Sequence, residues 1–186
     1  MKRVLSQLFV WLSIIVLGAT VLPVLADNTL DDERLLKAVF IFNFAKLTQW
    51  PKNTWQHRDD PFNLCIAGSD QLASDLRYLS GKNIKARPVV IKPSINQQDM
   101  ATCHLLYVAS SEQEQYEGIL AALDNQPILT VSSISGFVKN GGIIELYTEN
   151  NRTRFLIHQR NSKTKGLQIS SRLLSLANVI GQEEIP

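Results

Sequence analysis

The chain has 186 residues and two cysteines, with 19 basic and 17 acidic side chains for a formal net charge of +2. Both net charges come from Lys2 and Arg3, so the chain beyond its first residues is neutral. That excludes the basic footprint of a nucleic-acid binder, and the length fits one domain with a proper core.

Lys2 and Arg3 form a basic start, Leu8 to Leu17 is almost purely apolar, and Pro23 is followed by Val24-Leu25-Ala26 before a polar run. This is the pattern of a cleaved export signal, residues 1–26. The competing reading is an uncleaved anchor, since the apolar run nearly reaches membrane length. The remaining chain, 27–186, then folds as one exported domain. Two cysteines in an oxidising compartment are read first as a disulfide between Cys65 and Cys103.

Asn28 to Trp50 is predicted as a helix, opened by Thr29 with Asp32 as a capping box and stopped at Trp50-Pro51. Leu36, Phe40, Phe44 and Leu47 form one apolar stripe, and Leu35, Val39, Phe42 and Trp50 form a second. Together they span about 200°, wider than the stripe of an ordinary surface helix. The extra face needs a cover. A helix wedged deep in the domain and an interface with a partner or a second copy both supply one.

Short apolar strands then alternate with helices. Phe62–Gly68 is predicted as a first strand, Ser69–Gly81 as a helix with Leu72, Leu76 and Leu79 in register, and Ala86–Pro93 and His104–Ser111 as further strands. Glu112–Gln126 is a helix and Pro127–Ser133 a fourth strand. Such alternation indicates βαβ units and a mainly parallel sheet. A turn over Ser135–Gly142 follows, then two strands around the hairpin Glu149-Asn150-Asn151-Arg152. A last helix, Leu167–Ile180, places Leu173, Leu176, Ala177 and Ile180 on one side. The expected fold is a three-layer, doubly wound, mainly parallel α/β sheet with an antiparallel hairpin at one edge. Its first and third strands should be neighbours, bringing Cys65 and Cys103 together. Cys65 is mid-strand and Cys103 at a strand start, so bridging them needs a local shift of the backbone.

No catalytic motif emerges. Ala67-Gly68-Ser69-Asp70 ends a strand and opens a helix, yet matches neither glycine-rich phosphate-binding pattern; Ser69 or Asp70 reads as a helix cap. Ser132 and Ser133 lack the nucleophile elbow and suit strand-end backbone bonding. His57, His104 and His158 are scattered, without metal-ligand spacing. No cofactor is called for. The residues themselves favour a binding or regulatory module over an enzyme.

Taken in order, "KAVFIFNFAKLTQWP", "FNLCIAGSD", "GKNIKARPV", "CHLLYVASS", "PILTVSSISGFVKNGGIIEL", "RFLIH" and "GLQISSRLLSLA" resemble the segments of the YfiR-like family. Two departures stand out. The strand that often ends in Asn in the family ends here at His158, and the second cysteine pair some members carry near the Gly-Gly turn is missing, leaving Phe137 as that loop's anchor. The resemblance implies a periplasmic protein that binds the periplasmic domain of an inner-membrane diguanylate cyclase and represses it. It would lower cyclic di-GMP and biofilm or exopolysaccharide output. An OmpA-like outer-membrane lipoprotein would titrate it away, and a homodimer is a further expected state. The expected partner or dimer surface is Phe40, Phe42, Phe44 and Trp50. The alternative function is a periplasmic small-molecule-binding module, with Gly68, Ser69 and Ser110 lining a crevice at the strand ends.

Overall fold

The computed structural model describes residues 28–93 and 99–182, with side chains from residue 32 onward. The predicted signal segment and the Thr29 side chain of the capping box lie outside the described residues. The first helix, α1 (Asn28–Leu47), ends three residues before Trp50, and the chain passes straight into a short strand, β1 (Thr48–Gln49). The Thr48 hydroxyl donates to the Phe44 carbonyl at 2.8 Å, satisfying one of the orphaned acceptors of the last turn.

The strands of the main sheet are β2 (Phe62–Ala67), β3 (Asn83–Ile84), β4 (Arg87–Lys92), β5 (Leu105–Val108), β6 (Leu129–Ser132), β7 (Ile144–Glu149), β8 (Arg152–His158) and β10 (Asn178–Ile180). Their order is β10-β8-β7-β6-β5-β2-β4-β3. From β4 to β7 all neighbours are parallel, so the sheet is mostly parallel. The first and third strands of the sequence reading, β2 and β5, are neighbours as expected, with Leu64 opposite Leu105 and Cys65 opposite Leu106. Because β4 and β5 flank β2, the winding direction reverses between β2 and β5.

Hairpins close both sides of this parallel block. Glu149 pairs with Arg152 around Asn150 and Asn151, which both take positive φ (50° and 57°). Lys85 and Ala86 (50° and 66°) do the same between β3 and β4. Two consecutive left-handed residues make the two-residue turn whose twist matches paired strands, and asparagine tolerates it best.

The C-terminal segment corrects the sequence reading. Leu167–Ile180 is not one helix. Gln168–Ile169 forms β9, which pairs antiparallel with β1 in a separate two-stranded sheet. Only α5 (Ser171–Leu174) is helical, capped by Ser170 accepting from the Leu173 N–H, and β10 then runs parallel to β8. The β7–β8 hairpin is therefore not the sheet edge; β10 covers it. An uncovered β8 would leave a row of unpaired backbone groups, and that demand outweighs the local helical spacing of the leucines.

The two faces of the sheet bury different clusters. Leu64, Ile66, Leu105, Tyr107, Leu129 and Val131 pack with Ile41 and Phe44 of α1 and Leu72 and Leu76 after Gly68. On the opposite face Cys65, Leu106 and Val108 meet Phe137 and Tyr116 and Leu120 of α3 (Tyr116–Ala122). Alternate strand residues thus serve opposite clusters, as period-two geometry requires.

The expected anchoring role of Phe137 is visible in its packing. It is fully buried, and a Cβ added at Gly142 would lie 2.3 Å from its ring. The buried Glu145 carboxylate also accepts from the Gly136 and Val138 N–H groups, both at 3.2 Å, tying this turn to β7.

Candidate functional site

Three places could carry chemistry or recognition. At the amino end of β5, Cys65 and Cys103 are bonded, with Cα atoms 5.8 Å apart, inside the usual range. The local shift the sequence demanded is supplied by the turn Asp99–Thr102, which brings Cys103 into the cluster on the same face as Cys65. No thiolate exists here to act as a nucleophile. His104 is a packing residue: its Nδ1 accepts the Asn63 N–H at 2.9 Å, and its ring stacks on Trp55 at 4.9 Å and tilts against Phe62 at 5.3 Å. Burial, with Arg87 and Lys92 nearby, depresses its pKa to about 4, so the ring is neutral at pH 7. An imidazole whose Nδ1 accepts carries its proton on Nε2. Of the other histidines, His57 is exposed, and His158 accepts from the Asn161 N–H as the cap of α4 (Gln159–Thr164).

The second place is the crevice at the carboxyl ends of β2 and β5, where the winding reverses and doubly wound sheets place ligands. Gly68 and Ser69 follow β2 and Ser110 follows β5 at these ends, and of the three only Gly68 lines the cleft there. Gly68 sits at φ +75°, and a Cβ on it would meet Ser111 Oγ at 2.3 Å. The donors an anion would need are already engaged. Ser69 N–H donates to Ser111 Oγ (2.9 Å), and Ser110 N–H donates to Asp70 Oδ2 (2.9 Å). Asp70 Oδ2 also accepts the Tyr107 hydroxyl at 2.9 Å, while Oδ1 caps α2 (Gln71–Asp75) through the Ala73 N–H at 2.7 Å. Burial, then the Asp70 charge, pushes the Tyr107 phenol far above its ordinary pKa, so it stays a donor. A cleft of about 570 Å³ opens beside Gly68, and Glu112 and Glu114 line it. The protein's own carboxylate fills the anion position.

The third place is α1. Its core face is Ala38, Ile41, Phe44 and Ala45; of these only Phe44 belongs to the two stripes seen in the sequence. Of the expected interface residues, Phe44 and Trp50 are buried. Phe44 packs on Phe155 at 4.8 Å, and Trp50 donates through Nε1 to the His104 carbonyl. Phe40 and Phe42 are half-buried on the flanks. What remains outward is aliphatic: Leu35 (53% exposed), Leu36 (44%) and Val39 (52%). Beside them a groove of about 370 Å³ runs between α1, β8 and α5. Phe40, Phe44, Phe155 and Leu173 form its apolar wall, and Leu176, 68% exposed, stands at its lip. Lys46 and Arg172 also line it; Lys46 lies over the Phe42 ring at 5.4 Å. The sequence reading missed Leu176 and Arg172 as surface features, because a continuous helix there assigns Leu176 to a buried stripe.

The family model described as YfiR/HmsC-like matches residues 34–178. No curated protein matches the chain. A solved structure, a conserved domain protein from Vibrio cholerae O1 biovar El Tor, is similar at 12% identity with a TM-score of 0.48. The alignment covers 66% of this chain and 55% of that one, so the chain matches little more than half of that protein's length.

Proposed function

The chain belongs to the YfiR/HmsC-like family, and on that premise we propose that it is a periplasmic regulator that binds and represses a membrane diguanylate cyclase. The observation that supports the reading is the outward aliphatic face of α1 and the groove beside it, a surface with no cover among the described residues. Contiguous exposed apolar side chains next to a groove favour association, because burying them on a partner removes apolar area from water. No helix among the described residues is long and apolar enough to cross a membrane; in this reading the contact is made with the cyclase's periplasmic domain.

Repression is then linkage. The regulator lowers cyclic di-GMP, and with it biofilm and exopolysaccharide output, if it binds the inactive cyclase more tightly than the active one. A hundredfold preference, about 2.7 kcal/mol, biases the equilibrium strongly. An OmpA-like outer-membrane lipoprotein that competes for the regulator would release the cyclase, and self-association through α1 would set a further reservoir. The protein acts without catalysis in this reading. A small-molecule function at the Gly68 crevice stands second, since its backbone donors are engaged by Ser111 and Asp70. Deleting the gene should raise cellular cyclic di-GMP and surface attachment; unchanged levels of both reject the proposal.

A further inference from the structure

We propose that the groove between α1, β8 and α5 takes an acidic, apolar-anchored segment of the cyclase's periplasmic domain, with Lys46 and Arg172 reading its carboxylates. This rests on the repressor reading and names the chemistry of the partner.

Among the described residues no carboxylate lines the groove, although the chain beyond Lys2 and Arg3 is neutral overall. Lys46 comes from the last turn of α1 and Arg172 from α5, so two elements distant in sequence bring cations to one rim. Both are exposed, and neither has an acidic partner among the described residues. Three neighbouring cations are paired. Arg34 is paired with Asp75 at 3.2 Å, Lys37 with Glu33 at 2.7 Å and Arg154 with Glu149 at 3.0 Å. Arg152 of β8 is also exposed without an ion pair among the described residues, so what sets the groove apart is that two such cations share one apolar site with no carboxylate among its described lining residues.

Phe40, Phe44 and Phe155 form a packed aromatic trio with centroids 4.8–6.0 Å apart, which makes the wall rigid before any partner arrives. A preformed wall costs little ordering on binding. The groove's volume of about 370 Å³ falls within the range of specific pockets, about 300–1,000 Å³. An apolar side chain entering it would bury the exposed Leu176, while flanking carboxylates reach the two cations. A bidentate guanidinium–carboxylate contact sets orientation as well as strength. An apolar partner segment carrying lysines would be rejected by the same pair.

The test uses the mature protein on a column, loaded with the detergent-solubilised membrane fraction of the native host. Diguanylate cyclase activity is measured in the fraction released by high salt. The wild-type column should retain the activity. A folded Lys46→Glu/Arg172→Glu column should retain less than a tenth of it, and a Lys46→Arg/Arg172→Lys column should recover most of it. Should the charge-reversed protein fail to fold by circular dichroism, Lys46→Gln/Arg172→Gln replaces it, with a loss of at least threefold expected. A folded charge-altered variant that retains the activity as well as wild type overturns the groove assignment and leaves the repressor reading standing. A wild-type column that retains no cyclase activity overturns both.

Discussion

The Gly68 crevice and the α1 groove are both concave, yet they differ in how their polar groups are satisfied. In the crevice, Asp70 alone accepts three hydrogen bonds, from Tyr107, Ser110 and Ala73, and Ser111 takes the Ser69 N–H. At the groove, two cations line the same site as an aromatic wall, without acidic partners among the described residues. A saturated site belongs to the scaffold, and its groups are held by stability. An unsaturated one leaves recognition to be completed by another molecule. The difference predicts that substitutions at the sheet ends act on folding and those at the groove act on binding.

The largest effect should come from the disulfide at the amino end of the same strands. Closing a loop of 38 residues is worth about 4 kcal/mol in the chain-entropy model. Cys65→Ser/Cys103→Ser should lower the urea midpoint accordingly, and an unchanged midpoint would remove the disulfide from the scaffold's stability. His104 gives the next test. Its folded pKa of about 4 lies below the ordinary 6.5, so between these values the unfolded chain binds a proton the folded protein refuses. Stability is therefore full above pH 6.5 and falls as pH drops toward 4, by roughly 3 kcal/mol in total. Melting temperatures between pH 7 and pH 4.5 should show this decline in wild type and a flatter profile in His104→Asn.

Asp70→Ala leaves the Tyr107 hydroxyl and the Ser110 and Ala73 N–H groups without their acceptor. The expected cost is about 2–3 kcal/mol, read by chemical denaturation; a neutral result would mean that water replaces the carboxylate and that the crevice is open after all. The smallest stability effect belongs to Leu176→Asp. At 68% exposure it should change folding by less than about 0.5 kcal/mol. Repression in cells should nevertheless be lost, measured as cyclic di-GMP in a complemented deletion strain. If Leu176→Asp destabilised the protein while Asp70→Ala did not, the contrast between the two sites would be reversed.

The strands of the parallel block were legible because fully buried strands read as short apolar runs, as in Leu64–Ala67 and Leu105–Val108. The Asp70 cap, the Asn150-Asn151 turn and the Cys65–Cys103 pairing were likewise readable, each resting on a local preference or on one rule of strand order. The first helix was readable as a helix, but its orientation was not. The stripes of large side chains drew attention to Phe40, Phe42, Phe44 and Trp50, whereas the small Ala38 and Ala45 decide how closely α1 sits on the sheet. Leu167–Ile180 failed for a different reason, since leucines at helical spacing also occur when a single turn lies between two short strands.

By itself, then, the amino-acid sequence determined the parallel block, its turns, the disulfide partners and the family, all of which depend on side chains near in sequence or on order along the chain. Tertiary structure decided which face of α1 is buried, that β9 and β10 exist at all, and that Lys46 and Arg172 share one rim. They arise from pairing between separate segments, such as Thr48 with Ile169 across more than a hundred residues and Asn178 with Leu156 beyond an intervening helix and strand. Their backbone hydrogen bonds and burial are gained only once both segments are in place, so no local pattern has to announce them.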